Sequence, residues 1–210
     1  RKRNLNPDEI FDQVILIDRQ AKENYQIPLT NIVYMGMGEP LLNYTEVSRS
    51  IHIACAQKKL DLSNRRITVS TCGIAPRIVD FARDSPQVSL AISLHAPNDA
   101  LRNELVPINR KYGLEELLQA CADYPGASNA RRITFEYVML DGVNDTKEDA
   151  HRLVKLLEGI PAKVNLIPFN PWPGAMYECS SPERVRAFSN LIFNVPSLSL
   201  FSTETHSMLM

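Results

Sequence analysis

The sequence predicts an α/β fold in which helices cover a parallel sheet, and three observations carry that expectation. Short runs rich in branched and aromatic apolar residues, such as Ile32-Val33-Tyr34-Met35 and the stretch ITFEYVM at 133–139, read as strands. Segments with apolar residues at helical spacing lie between them, several opened by cap residues. The intervals are long enough for the crossovers that parallel neighbours require. Periodicity leaves open whether the sheet is doubly wound or forms a complete or partial barrel. In each case ligands sit at the carboxyl ends of the strands.

The elements follow in order. Asn6-Pro7-Asp8-Glu9 places a cap, a proline at the first helical position and acids on the positive end of the helix dipole, so a helix is expected to about residue 23. Strand one is expected over 31–35, then a helix over 45–59 and a strand over 66–71. A short helix over 75–83 leads to a strand over 88–94, with helical pieces over 100–105 and 114–122. The strand over 133–139 precedes a helix capped by Asp145 or Thr146 and running to 157. A strand over 163–167 and a helix opened by Ser181-Pro182-Glu183 and running to about 193 complete the pattern. The core is expected to span 1–195, with 196–210 an aberrant or disordered tail, since SLSLFSTETHSMLM shows no helical face and no charge pattern.

Composition narrows the function classes. A net charge of −1 gives no argument for a nucleic-acid partner. No apolar run reaches the roughly 20 residues needed to cross a bilayer, and no signal peptide is visible, so no membrane partner and a cytoplasmic location are expected. Cys55, Cys72, Cys121 and Cys179 are too widely scattered for a disulfide framework or a zinc knuckle.

Each expected strand ends in small, polar residues: Gly36-Met37-Gly38-Glu39-Pro40, Ser70-Thr71-Cys72-Gly73, Ser93-Leu94-His95-Ala96-Pro97, Asp141-Gly142-Val143-Asn144-Asp145 and Pro168-Phe169-Asn170-Pro171-Trp172-Pro173-Gly174. Gly36 and Gly38 let a ligand approach the backbone, while Glu39 offers a carboxylate to a cation. This suits the zwitterionic end of an amino acid better than a phosphate, which favours glycine N–H groups at a helix start without an acid. A plain turn with an exposed acid also fits that stretch. Ser70 also fits a strand end, His95 a hydrogen-bonded structural histidine, and Asn170 an Asx turn.

MGMGEPLLN, ITVSTCG, SLAISLHAPND, RITFEYVMLDGVND and VNLIPFNPWPG occur in that order over roughly residues 3–193. Together they resemble the radical S-adenosylmethionine (SAM) enzymes that methylate carbon 2 of an adenine in large-subunit ribosomal RNA and in some transfer RNAs. The resemblance implies a partial (βα)6-type barrel, incomplete here at its N-terminal strand. It also implies SAM and a [4Fe–4S] cluster as cofactors, rRNA and tRNA as partners, an electron donor and a monomeric enzyme.

Gly38 and Glu39 match the motif that binds the SAM amino group, Ser70 a serine contacting SAM, Ser93, Leu94 and His95 a second contact segment, and Asn170 a further SAM-binding asparagine. Cys72 is read as packing and Trp172 as a loop anchor. In the chemistry the resemblance implies, one SAM methylates an enzyme cysteine. A second yields a 5′-deoxyadenosyl radical that takes a hydrogen from that methyl group, and the carbon radical adds to adenine C2.

Two parts of the pattern are missing. No CxxxCxxC occurs, and the family's would fall before residue 1; the tail lacks the methyl-carrying cysteine, and Cys179 has flanks that do not match it. No metal ligands are therefore expected in this chain, and the chain alone is expected to be inactive. A non-catalytic relic that binds SAM or RNA, and a radical SAM methyltransferase with another substrate, are the alternatives.

Overall fold

The strand order in the computed structural model decides between barrel and open doubly wound sheet. Six parallel strands neighbour one another in chain order, without the reversal that a doubly wound sheet requires. The structure describes residues 3–35, 38–56, 60, 62–124, 127–128, 132–193 and 198–202. Among them the elements are α1 (Pro7–Tyr25), β1 (Ile32–Tyr34), α2 (Tyr44–Ala56), β2 (Ile67–Thr71), α3 (Ala75–Asp84), β3 (Ser89–Ser93), α4 (Asp99–Leu105), α5 (Leu114–Ala122), β4 (Ile133–Met139), α6 (Lys147–Leu156), β5 (Ala162–Pro168), α7 (Pro182–Phe193) and β6 (Leu198–Ser202). No pairing joins β6 back to β1 among the described residues, so the barrel is partial.

Local chemistry explains the helix starts. The Asn6 side chain accepts from the Glu9 N–H at 2.8 Å, and the Glu9 carboxylate accepts from the Asn6 N–H at 2.9 Å. Thr146, not Asp145, caps α6, in a reciprocal arrangement with Asp149. Asp145 instead accepts from Gly142 N–H, Ser180 Oγ and the Arg184 guanidinium, which ties the loop after β4 to the start of α7.

β6 lies inside the stretch expected to be a tail, and the sheet therefore continues past 195. Its sequence alternates serine with leucine, the period of a strand, and it pairs along β5 from Ala162↔Leu198 to Leu166↔Ser202. Residues 203–210 lie outside the described residues, as do Gly36 and Met37. No described helix is long and apolar enough to cross a membrane.

Side-chain alternation divides the sheet into two chemically different faces. Ile67 and Val69 of β2, Leu90 and Ile92 of β3, Phe135 and Tyr137 of β4, and Val164 and Leu166 of β5 share one face and join the hydrophobic core with Ile78, Phe81, Leu117, Leu153 and Phe188 from the helices. Tyr137 and Phe188 stack with ring centroids 5.4 Å apart. Helices α2, α3, α5, α6 and α7 all bury residues in the core on that face. The opposite face is the barrel interior, and it carries Ser70, Ser93, Glu136 and Asn165. An interior that served packing alone would be filled with branched apolar side chains.

Candidate SAM-binding site

Ser93, Glu136 and Asn165 stand side by side on β3, β4 and β5, in register. Glu136 is 9% exposed, and its Oε2 accepts from Ser93 Oγ at 3.1 Å and from Ser70 Oγ, two strands away, at 3.2 Å. One carboxylate thus joins two of the predicted contact serines. Asn165 Oδ1 is buried and has no hydrogen-bond partner among the described residues. Sequence reading missed both Glu136 and Asn165. The signal was the polar residue at the centre of ITFEYVM and of KVNLI, on the face opposite to the apolar positions.

The loop after β1 is anchored to the end of β2. Glu39 Oε1 accepts from the Leu41 N–H at 2.9 Å, capping the 3-10 turn Pro40–Asn43, and Oε2 accepts from the Cys72 N–H at 2.7 Å. The acid is therefore a fixed acceptor rather than a loose one, and each oxygen keeps a further lone pair for a ligand. Glu39 and the exposed Gly38 also end a cleft of about 690 Å³ that runs between α1 and β1. Burial, reinforced by the Glu39 carboxylate, pushes the Cys72 thiol up to about 11, so it stays a neutral packing group at ordinary pH.

The segment after β3 is bent sharply. Leu94 is fully buried, and its N–H and that of His95 both donate to the Glu136 carbonyl, at 3.0 and 3.2 Å. His95 has φ of 59°, a left-handed conformation unusual for a side chain of its size. Its Nδ1 accepts from the Val138 N–H at 3.2 Å, and its carbonyl accepts from Asn144 Nδ2 at 2.8 Å. A ring nitrogen that accepts cannot carry the proton, so the proton sits on Nε2, which is left as a donor. Burial, together with the Arg102 charge, lowers the imidazole pKa to about 4. His95 thus fills the structural role its residue type suggests and still presents one N–H.

Arg102 of α4, also missed in the sequence, braces this end of the sheet. It is fully buried, and its guanidinium donates to the carbonyls of Cys72 (2.7 Å), Ser93 (3.0 Å) and Leu94 (3.1 Å) and to Asn109 Oδ1 (2.7 Å). Loss of hydration lowers its pKa to about 10, which leaves it charged at neutral pH. Asn170 is exposed on the loop after β5, at the same end of the sheet, and no hydrogen bond joins it to the cluster among the described residues. Trp172, expected as a loop anchor, is 61% exposed and meets Phe169 edge-on at 5.4 Å.

The site therefore holds acceptors for an ammonium or hydroxyl ligand at Glu39, Glu136, Ser70 and Ser93, and a donor at His95. That donor and acceptor set fits SAM. It does not fit an iron–sulfur cluster: the four cysteines are free and sit on different elements, and no group of three or more His, Cys, Asp or Glu among the described residues is placed to hold a metal ion.

Comparison with known proteins agrees with this chemistry. Residues 2–157 match the family model of the radical SAM superfamily. The chain is 56% identical over 200 residues to a dual-specificity RNA methyltransferase RlmN of Rhodopseudomonas palustris strain BisB5, covering 91% of this chain and 50% of that protein. It is 65% identical over 167 residues to the RlmN of Sphingopyxis alaskensis, covering 79% of this chain and 40% of that protein. The chain thus spans about half the length, or less, of these curated relatives. A crystal structure of a radical SAM methyltransferase from Sphaerobacter thermophilus superposes with a TM-score of 0.88 at 45% identity, over 97% of this chain and 60% of that one. Streptococcus suis SuiB bound to S-adenosylmethionine shares the fold, with a TM-score of 0.65 at 19% identity. Members of the matched family use SAM and a [4Fe–4S] cluster, and by this match over most of its length the chain belongs to the radical SAM superfamily.

Proposed function

We propose that this chain is the SAM-binding barrel of an RNA methyltransferase that modifies carbon 2 of adenine in ribosomal and transfer RNA. The observation that carries the reading is the convergence of Glu39, Ser70, Ser93 and His95 on the carboxyl ends of three neighbouring parallel strands, tied together by Glu136 and Arg102. The names of the similar proteins supply the RNA substrate class.

In this reading Gly38 and Glu39 bind the SAM ammonium, with the carboxylate held in place by its two backbone N–H partners. Ser70 and Ser93 accept hydrogen bonds from SAM, the fully buried Leu94 holds the contact segment from the core side, His95 Nε2 donates, and Asn170 reaches SAM from the loop after β5. The described residues of this chain do not fit a [4Fe–4S] cluster. The chain contributes placement and exclusion of water. The target base has to leave its stack to reach such a site. The further expectations, an electron donor, a monomeric enzyme and a cytoplasmic location, belong to the same reading.

Deleting the parent gene and mapping modified nucleosides in rRNA and tRNA by mass spectrometry tests it. Loss of 2-methyladenosine is expected. An unchanged RNA profile would exclude this substrate and leave a radical SAM methyltransferase of another kind.

A further inference from the structure

A serine hydroxyl has one proton to give, and a carboxylate can only accept. Ser70 and Ser93 both direct that proton to the same oxygen, Glu136 Oε2. Whatever meets these two hydroxyls from inside the barrel therefore meets lone pairs. Glu136 Oε1 accepts no hydrogen bond among the described residues, and the buried Oδ1 of Asn165, the register partner of Glu136, has no partner either. Four strands thus present a row of acceptors, in which the buried Asn165 Oδ1 is unpaired in a place where that is costly.

We infer that Glu136 is a positioning residue that fixes Ser70 and Ser93 as acceptors, so that the interior of the barrel selects the hydrogen-bond donors of SAM, its ammonium or its ribose hydroxyls. The inference rests on SAM being the ligand of this site. Glu136 does so without needing to touch the ligand through Oε2, because that oxygen is occupied by the serines. A leucine at 136 would break the pattern: with no acceptor left at that position, the protons of both serines would be free to face the donors of the ligand.

SAM affinity of the full chain, measured by calorimetry in a double-mutant cycle, tests this. Glu136→Leu is expected to weaken SAM at least tenfold in the native background and less than twofold when Ser70→Ala and Ser93→Ala are already present. A loss that persists unchanged without the serines, or no loss at all, overturns the inference. Glu136→Asp covers the case in which the leucine variant does not fold. It keeps the charge but falls one methylene short of Ser70, so a several-fold loss is expected, and unchanged affinity overturns the role.

Repeating the measurement of Glu136→Leu with 5′-deoxyadenosine, which keeps the ribose hydroxyls, and with L-methionine, which keeps the ammonium, identifies the donor that meets the row. If neither probe is weakened, the proposed polarity is wrong. A native chain that binds no SAM would overturn the functional reading itself, an outcome distinct from one in which SAM binds and Glu136 is indifferent.

Discussion

Glu39 Oε2 accepts the backbone N–H of Cys72 at 2.7 Å, so the glycine-containing loop after β1 is fastened to the end of β2. One side chain thereby does two jobs, holding the loop and offering its remaining lone pairs to a cation. Glu39→Ala removes both backbone hydrogen bonds. It is expected to cost about 1–3 kcal/mol of stability, as charged hydrogen bonds do, and to weaken SAM by about 1–3 kcal/mol. Urea denaturation and calorimetry measure the two effects separately, and unchanged SAM affinity would remove the proposed role of Glu39.

Arg102 donates to three carbonyls on two strand ends, and Arg102→Met would leave those acceptors and Asn109 Oδ1 unsatisfied in the interior. The expected loss is at least about 3 kcal/mol by urea denaturation. Arg102→Lys should not restore it, because an ammonium cannot reproduce the planar fork that reaches both strands. A lysine variant as stable as the native chain would contradict this bracing role.

Gly73 sits beside that guanidinium with φ of 104°. A Cβ there would lie 3.0 Å from Leu117 Cδ2 and 3.3 Å from Arg102 Nη2. Gly73→Ala combines backbone strain with crowding, and a loss of about 1–3 kcal/mol is expected in thermal or urea unfolding. A neutral effect would mean that the loop after β2 relaxes freely.

His95 should make stability fall in acid. Free histidine titrates near 6.5, whereas in the fold burial and Arg102 lower the value to about 4. Between these values the unfolded chain binds more protons than the folded one. The contribution is therefore complete above pH 6.5 and is lost progressively as pH falls towards 4, amounting to about 3 kcal/mol at the lower end. NMR titration of the His95 ring is expected to show a proton on Nε2 and a midpoint near 4. A midpoint near 6.5 would contradict the Val138 hydrogen bond.

Sequence carried the local features well and the long-range ones poorly. Asn6-Pro7-Asp8-Glu9 marked the start of α1 because a cap acts within one turn, and Ser181 likewise accepts from the Arg184 N–H at 3.3 Å at the start of α7. The polar strand ends were readable because any parallel sheet gathers them at one edge. Strand order was not, since it depends on which runs pair across the whole chain. Glu136 meets Ser70 across 66 residues and Ser93 across 43, and Arg102 reaches Cys72 across 30, so no local pattern announces those partners. The stretch that forms β6 was expected to be a tail: the alternation in SLSLFS is its local signal, and its pairing depends on the open edge of β5.

Chemical-shift mapping of the isotope-labelled full chain with added SAM tests the binding site most directly. Saturable changes centred on the amides of Gly38, Glu39, Ser70, Ser93, Leu94, His95, Glu136 and Asn170 are the predicted result. Changes confined to other surfaces, or no change at millimolar SAM, would contradict it.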